Sequence, residues 1–246
     1  MAILQSTKHN KLGTTLSDRI ALITGASRGI GQAVAKRLAA EGAQVILVAR
    51  DKRGLEETDD DIRAAGGKAT LVQLDLLDFA KLEELAKMIH SRFGRLDILV
   101  ANAAMLGEIT PIAHSDVKVW EKTMAINVTA QMQLICCFDP LLKLSDAPRA
   151  IFVTSGITEN VHPYWNAYAV SKTALDMLVK LYAAENAKTA LRANLVSPGI
   201  VRTRMRAQAM PGEDPEPLTP PDAITDVFVK LASPDIKETG KIFYAQ

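Results

Sequence analysis

The sequence predicts an α/β fold, a doubly wound parallel sheet built as a single domain. Two observations carry this expectation. Strand-like and helix-like segments alternate along almost the whole chain. The strand-like segments are unbroken Val, Ile and Leu runs, the pattern of strands covered on both faces. With 246 residues, 48% of them hydrophobic, the chain can bury a sizeable core.

The elements follow in order. Residues 1–16 are polar and irregular and read as a flexible arm, with the domain over 17–246. "IALIT" (Ile20–Thr24) is a buried strand. "GIGQAVAKRLAAEG" is a helix closed by Gly42. "QVILVAR" is a second strand, and Asp51 to Ala65 a polar helix ended by "GG". "KATLVQLD" is a third strand, and "FAKLEELAKMIHSRFG" a helix with apolar residues at helical spacing. "LDILVANAA" is a fourth strand. Asp116 to Leu144 is helical, and the polar turn "KLSDAPR" after it reads as surface. "RAIFVTS", a helix from Trp165 to Lys188, "LRANLVS" and "KIFYAQ" complete the alternation. Residues 204–222, "RMRAQAMPGEDPEPLTPPD", are rich in Pro and charge and long for a connection. They read as a lid-like segment or as a plain crossing loop.

Composition excludes several classes. A formal charge of +1 offers no global field for nucleic acid or an anionic membrane. No apolar run approaches the ~20 residues of a spanning helix, and the first residues lack the apolar stretch of a signal peptide. Cys136 and Cys137 are adjacent in an apolar helical pattern and read as core thiols. No metal-ligating cluster is visible. A cytoplasmic protein is the expectation.

"TGASRGIG" joins the first strand to the first helix and carries Gly25, Gly29 and Gly31. Glycine permits a tight turn and lets another backbone approach. The helix N-terminus then offers free N–H groups and a positive dipole end to a pyrophosphate. Strand, turn and helix is the context that makes such a glycine pattern a dinucleotide cradle. Arg50 ends the second strand where an NAD site usually has a carboxylate. Asp51 comes one residue later, at a helix N-cap position. Arg50 with Arg28 could grip a 2′-phosphate through charge-assisted hydrogen bonds; the alternative is two solvated arginines.

The spacing T-G-x-x-x-G-x-G resembles that of the short-chain dehydrogenase/reductase (SDR) family, and the resemblance runs from about Asp18 to the C-terminus. It implies a Rossmann fold and an oxidoreductase that uses NADP(H), with NAD(H) as the alternative. It places Ser27, Arg28, Ile30 and Arg50 beside the three glycines in the cofactor site, with Leu76, Asn102 and Ala103. Asp75, closing "VQLD", is similar to the family's aspartate at the adenine amino group; a helix N-cap is its other reading. "VSPGIVRT" matches the family's turn beside the nicotinamide, with Pro198, Gly199, Ile200 and Thr203. "ANAA" (101–104) keeps Asn102 but has Ala101 and Ala104 where the family has Asn and Gly.

Tyr168 and Lys172 in "NAYAVSK" are one helical turn apart and share a face. Ser155 lies thirteen residues before Tyr168, and Asn127 twenty-eight before Ser155. These spacings match the family's Asn-Ser-Tyr-Lys tetrad, which the resemblance makes catalytic, with Tyr168 as general acid and base. A free tyrosine, of pKa about 10, is a weak acid at neutral pH. Lowering that by ~3 units takes roughly 4 kcal/mol. An ammonium at ~4 Å supplies about that at an effective dielectric of ~20. Lys172 is therefore expected to lower Tyr168 and to bond the nicotinamide ribose. Ser155 would stabilise the developing alkoxide. Asn127 would hold a water linking Lys172 to solvent.

The substrate pocket is expected from Met105, Ile157, Val161, Tyr164 and Trp165, with Leu106 nearby. His162 is a loop histidine beside it. Arg202, Arg204 and Arg206 form a basic stripe, either a solvated face or a lure for an anionic substrate tail or cofactor phosphate. The expected activity is hydride transfer between NADP(H) and a small or medium apolar ketone or aldehyde. A 3-oxoacyl-thioester reductase of fatty-acid type is the alternative within that chemistry. A non-catalytic dinucleotide sensor is the alternative outside it, and an intact tetrad argues against it. The resemblance also implies a homodimer or homotetramer paired through the long helices and the last strand.

Overall fold

In the computed structural model, described over residues 15–246, the strands are β1 (Ile20–Thr24), β2 (Gln44–Ala49), β3 (Lys68–Gln73), β4 (Ile98–Ala101), β5 (Arg149–Val153), β6 (Arg192–Ser197) and β7 (Ile242–Tyr244). They form one sheet in the order β3-β2-β1-β4-β5-β6-β7, with every pairing parallel. This is the doubly wound sheet expected from the sequence. The helices are α1 (Gly29–Ala40), α2 (Lys52–Ala64), α3 (Phe79–Phe93), α4 (Val117–Met124), α5 (Ala130–Leu142), α6 (Asn166–Glu185), α7 (Arg204–Ala209) and α8 (Asp226–Ala232).

The unbroken apolar runs have their cause in two cores. Along β1, Ile20 and Leu22 pack with Leu82 of α3, Phe138 of α5 and Val179 of α6. Ala21 and Ile23 pack on the opposite face with Val34 of α1, Leu55 of α2 and Phe228 of α8. Alternate residues of a strand point to opposite faces, so a strand buried twice needs apolar residues throughout. The strand order reverses between β1 and β4, and the crevice at the carboxyl ends of strands opens at such a point.

Several local expectations are corrected. The arm expected over 1–16 lies mostly outside the described residues, but Leu16 is fully buried in the α1–α8 core, and its N–H donates to Glu41 O at 2.9 Å. The "KLSDAPR" turn is not all surface. Ser145 is buried and donates to Asp97 Oδ1 at 2.5 Å. Arg149, also buried, donates to the carbonyls of Pro148, Ala190, Ser233 and Pro234. Chain segments meet there whose backbone acceptors need donors. Cys136 is exposed and Cys137 half-buried. Residues Val117–Leu142 form one continuous helix, by length and composition long and apolar enough to cross a membrane. Its apolarity has a local cause, because Leu134, Phe138, Leu141 and Leu142 are buried against β4, α3 and α6. Within 204–222 the expected irregular chain opens as α7, whose N-cap Thr203 accepts from Arg206 N.

Candidate active site

The carboxyl ends of β1, β2, β4, β5 and β6 converge on one cleft of about 940 Å³. It is lined by Ser27, Arg28, Ile30, Arg50, Asp75, Leu76, Ala103, Pro198, Ile200 and Thr203, all expected at the cofactor site. Gly25, Gly29, Asn102 and Gly199 line it too, as do Ser155, Tyr168 and Lys172.

The glycine turn is shaped by close approach. Gly25 has φ +68° and Gly29 φ +56°, the left-handed region. Gly31 does not line the cleft; a Cβ there would stand 2.3 Å from Gly25 O and 2.5 Å from Asn102 Nδ2. Its role is to let α1 sit against the turn. Asn102 closes the turn from β4, with Nδ2 donating to Thr24 O at 2.9 Å. Thr24 Oγ1 accepts from the N–H groups of Asn102 and Ala103. The Asn and Gly replaced by Ala101 and Ala104 leave this tie intact.

The helix caps distinguish α1 from its neighbours. Asp51, Asp78 and Asp116 cap α2, α3 and α4 with their carboxylates. The N-cap of α1 is Arg28, which makes no side-chain cap bond. The first-turn N–H groups of this twelve-residue helix therefore lack a side-chain acceptor and face the cleft with the positive end of the dipole. That arrangement fits a pyrophosphate. At the next edge Arg28 lies 3.5 Å from Asp51 and Arg50 lies 3.6 Å from Asp75. Both carboxylates of the cleft lining are thus paired with arginine. Asp75 also accepts from Leu77 N at 3.1 Å. It is not a helix cap, since Asp78 caps α3.

At the other end, β5 delivers Ser155 and α6 delivers Tyr168 and Lys172. Tyr168 is 8% and Lys172 2% exposed. Lys172 Nζ donates to Val153 O at 2.7 Å and stands 5.9 Å from the centre of the Tyr168 ring. Burial pulls Lys172 down to about 8, with Asp176 opposing. Burial pushes Tyr168 up, with the hydrogen bond to Ser155 opposing. The expected lowering of Tyr168 is therefore absent from the protein alone. Burial penalises the charged phenolate, and it outweighs the hydrogen bond to Ser155.

Asn127 lies in a π-helical turn, Ala125–Thr129, between α4 and α5. Its Oδ1 accepts from Met105 N and its Nδ2 donates to Met105 O, both at 2.8 Å. Nδ2 also donates to Ser171 Oγ at 2.9 Å. Both amide hydrogens are committed to protein. It clamps the pocket segment after β4 onto α6. The π turn widens the helix, and Gln131 Nε2 takes the Ile126 carbonyl at 3.0 Å.

The substrate-side expectations divide. Met105 and Trp165 line the cleft, and Ile157 packs against the Leu106, Tyr168 and Ala209 cluster. Trp165 and Tyr168 ring centres are 5.9 Å apart. Val161 is 98% exposed and Tyr164 59% exposed, and neither lines the cleft. Their loop turns outward, with Tyr164 at φ +73°. The 204–222 segment supplies Met205, Gln208 and Ala209, which sequence reasoning did not single out. Their signal was a helical apolar spacing too short to read. The basic stripe also divides: Arg204 and Arg206 line the cleft, Arg206 bound to both Glu213 oxygens at 2.6 Å, while Arg202 lies outside it, 3.9 Å from Glu216.

Comparison with known proteins places this geometry. A family model described as short chain dehydrogenase matches residues 19–214. The oxidoreductase YciK of Escherichia coli is 37% identical over 235 residues, 94% of this chain and 93% of its own. A benzil reductase ((S)-benzoin forming) of Saccharomyces cerevisiae is 34% identical, over 82% of this chain and 79% of its own. A short-chain dehydrogenase of Shigella flexneri, solved in complex with NADP, superposes with a TM-score of 0.92 at 36% identity, over 95% of this chain and 99% of its own.

Proposed function

The chain belongs to the short-chain dehydrogenase family of oxidoreductases, and from that premise we propose that it reduces a carbonyl compound with NADPH. The observation that carries the proposal is the single cleft joining the uncapped α1 terminus, Arg28 and Arg50 at one end to Ser155, Tyr168 and Lys172 at the other. The NADP-bound Shigella relative supports the cofactor. So does Asp51, whose carboxylate is taken by the α2 cap and by Arg28 instead of standing free for a ribose.

The residues divide the work. The dinucleotide supplies a hydride equivalent when bound. Gly25, Gly29 and the α1 terminus would hold its pyrophosphate; Arg28 and Arg50 would hold its 2′-phosphate. Ser155 orients the carbonyl oxygen and stabilises the charge that develops there. Tyr168 keeps its proton at Oη, because burial raises its pKa, and delivers it to that oxygen. The product is an alcohol. Lys172 holds positive charge beneath the phenol as the proton leaves. Leu106, Trp165, Met205 and Ala209 exclude water and favour an apolar substrate body. The same reading has copies of the chain pair through α6, whose Met177 and Leu181 are more than half exposed.

The test is consumption of NADPH with benzil, the diketone named for the yeast relative, and with a panel of ketones and aldehydes. Turnover is expected with at least one, and Tyr168→Phe should lose about 10²–10⁴-fold. NADPH binding with no turnover across the panel, or equal rates in Tyr168→Phe, refutes the reductase reading and favours a sensor.

A further inference from the structure

Buried in α6 one turn beyond Lys172 is a carboxylate with no part in the tetrad. Asp176 is 5% exposed. The spacing Tyr168, Lys172, Asp176 is i, i+4, i+8, so the three share one helix face. Asp176 Oδ1 accepts from Thr154 Oγ1 at 2.5 Å. Thr154 precedes Ser155, and Val153, whose carbonyl holds Lys172 Nζ, precedes Thr154. One strand end therefore grips the lysine through a neutral carbonyl and the aspartate through a hydroxyl.

We propose that Asp176 is a positioning residue that keeps Lys172 charged and ties the α6 face to the Ser155 end of β5. A buried charge is costly without compensation. The Val153 carbonyl brings none. Among the other elements against α6 here, the 125–129 turn and residues 156–158 hold no ionisable group, and β5 and β6 carry only Arg149 and Arg192, at their opposite ends. On α4, Lys118, Glu121 and Lys122 are exposed. Desolvation pushes the Tyr244 pKa up, and the charges of both Glu159 and Asp176 push it the same way. Asp176, buried one turn along the same helix face, is the charge whose attraction opposes the desolvation of the ammonium. The catalytic meaning of this charge rests on the reductase reading; the charge itself does not.

The test reads Lys172 directly, without turnover. The ¹³Cε resonance of Lys172 is titrated in the whole protein, in Asp176→Asn and in Asp176→Glu. The wild-type midpoint is expected near 8. Asp176→Asn keeps the size and the Thr154 acceptor, and should lower the midpoint by about one pH unit or more; Asp176→Glu should restore most of it. Thr154→Val removes the hydroxyl and leaves the charge, so its midpoint should stay within a few tenths of wild type. An unchanged midpoint in Asp176→Asn overturns the proposal. So does a drop in Thr154→Val as large as that expected for Asp176→Asn, which would make the tie structural; where Asp176→Asn does not fold, Asp176→Ser is read in its place, with the same drop expected and an unchanged midpoint again overturning the proposal. Loss of NADPH-dependent turnover in every protein would count against the reductase reading and leave this result standing.

Discussion

Replacing Arg50 by alanine separates cofactor choice from stability. Arg50 is 64% exposed and its partner Asp75, at 3.6 Å, is 45% exposed. An ion pair that open contributes about 0–1 kcal/mol. The thermal midpoint should therefore move by no more than about 3 °C. On the proposed reading the same guanidinium makes a charge-assisted hydrogen bond to the 2′-phosphate, of about 1.5–3 kcal/mol. At about 1.4 kcal/mol per decade, NADPH affinity should fall roughly 10- to 100-fold. NADH lacks that phosphate, and its affinity should change by less than about threefold, the equivalent of under 1 kcal/mol. Fluorescence titration of wild type and Arg50→Ala with both cofactors, beside a melting curve, gives the four numbers needed. Equal losses for NADPH and NADH would refute the reasoning, because Arg50 would then support the cleft as a whole. Unchanged NADPH affinity would refute it too, and would leave Arg50 as the solvated partner of Asp75.

Three further outcomes follow from the geometry. Gly31→Ala places a methyl 2.3 Å from a backbone oxygen that cannot withdraw; it should cost about 1–3 kcal/mol and abolish dinucleotide binding, and a variant that binds NADPH normally would contradict the packing role of Gly31. Asn127→Ala removes three hydrogen bonds, one buried and two partly buried, and strands the Met105 amide and carbonyl; urea unfolding should show a loss of about 2–4 kcal/mol, and a loss under about 1 kcal/mol would dismiss the clamp. Lys172 has a folded pKa of about 8 against 10.5. Below about 8 both folded and unfolded chains hold the proton, and the burial cost is carried in full. Between about 8 and 10.5 the unfolded chain holds more protons, so stability from this group rises with pH. The stability of wild type relative to Lys172→Met should therefore climb from pH 8 to pH 10, read by urea unfolding at each pH; a flat difference would refute the depressed pKa.

Much of this protein is legible in one dimension. Continuous Val, Ile and Leu runs identify strands covered twice, because a strand between two helix layers has no polar face to show. "TGASRGIG" places a tight turn between strand and helix, since glycine spacing records backbone shape directly. Tyr168 and Lys172 are readable as a pair because one helical turn joins them. Other features come from segments distant in the chain, whose meeting leaves no local pattern. Asn127 looks like a poor helix residue until the turn after β4 places Met105 against it. Ser145 looks like surface until Asp97 arrives from another strand. Val161 and Tyr164 read as pocket by proximity in sequence, but their loop turns away, and Met205 and Ala209 fill the place from further along. The ionisation of Tyr168 and Lys172 is the clearest division. Sequence determined which two groups stand together, and charge alone implied an acidic phenol. Burial, which depends on every element packed around α6, decided that the phenol keeps its proton and the lysine holds its own only loosely, because desolvation is a property of the assembled interior.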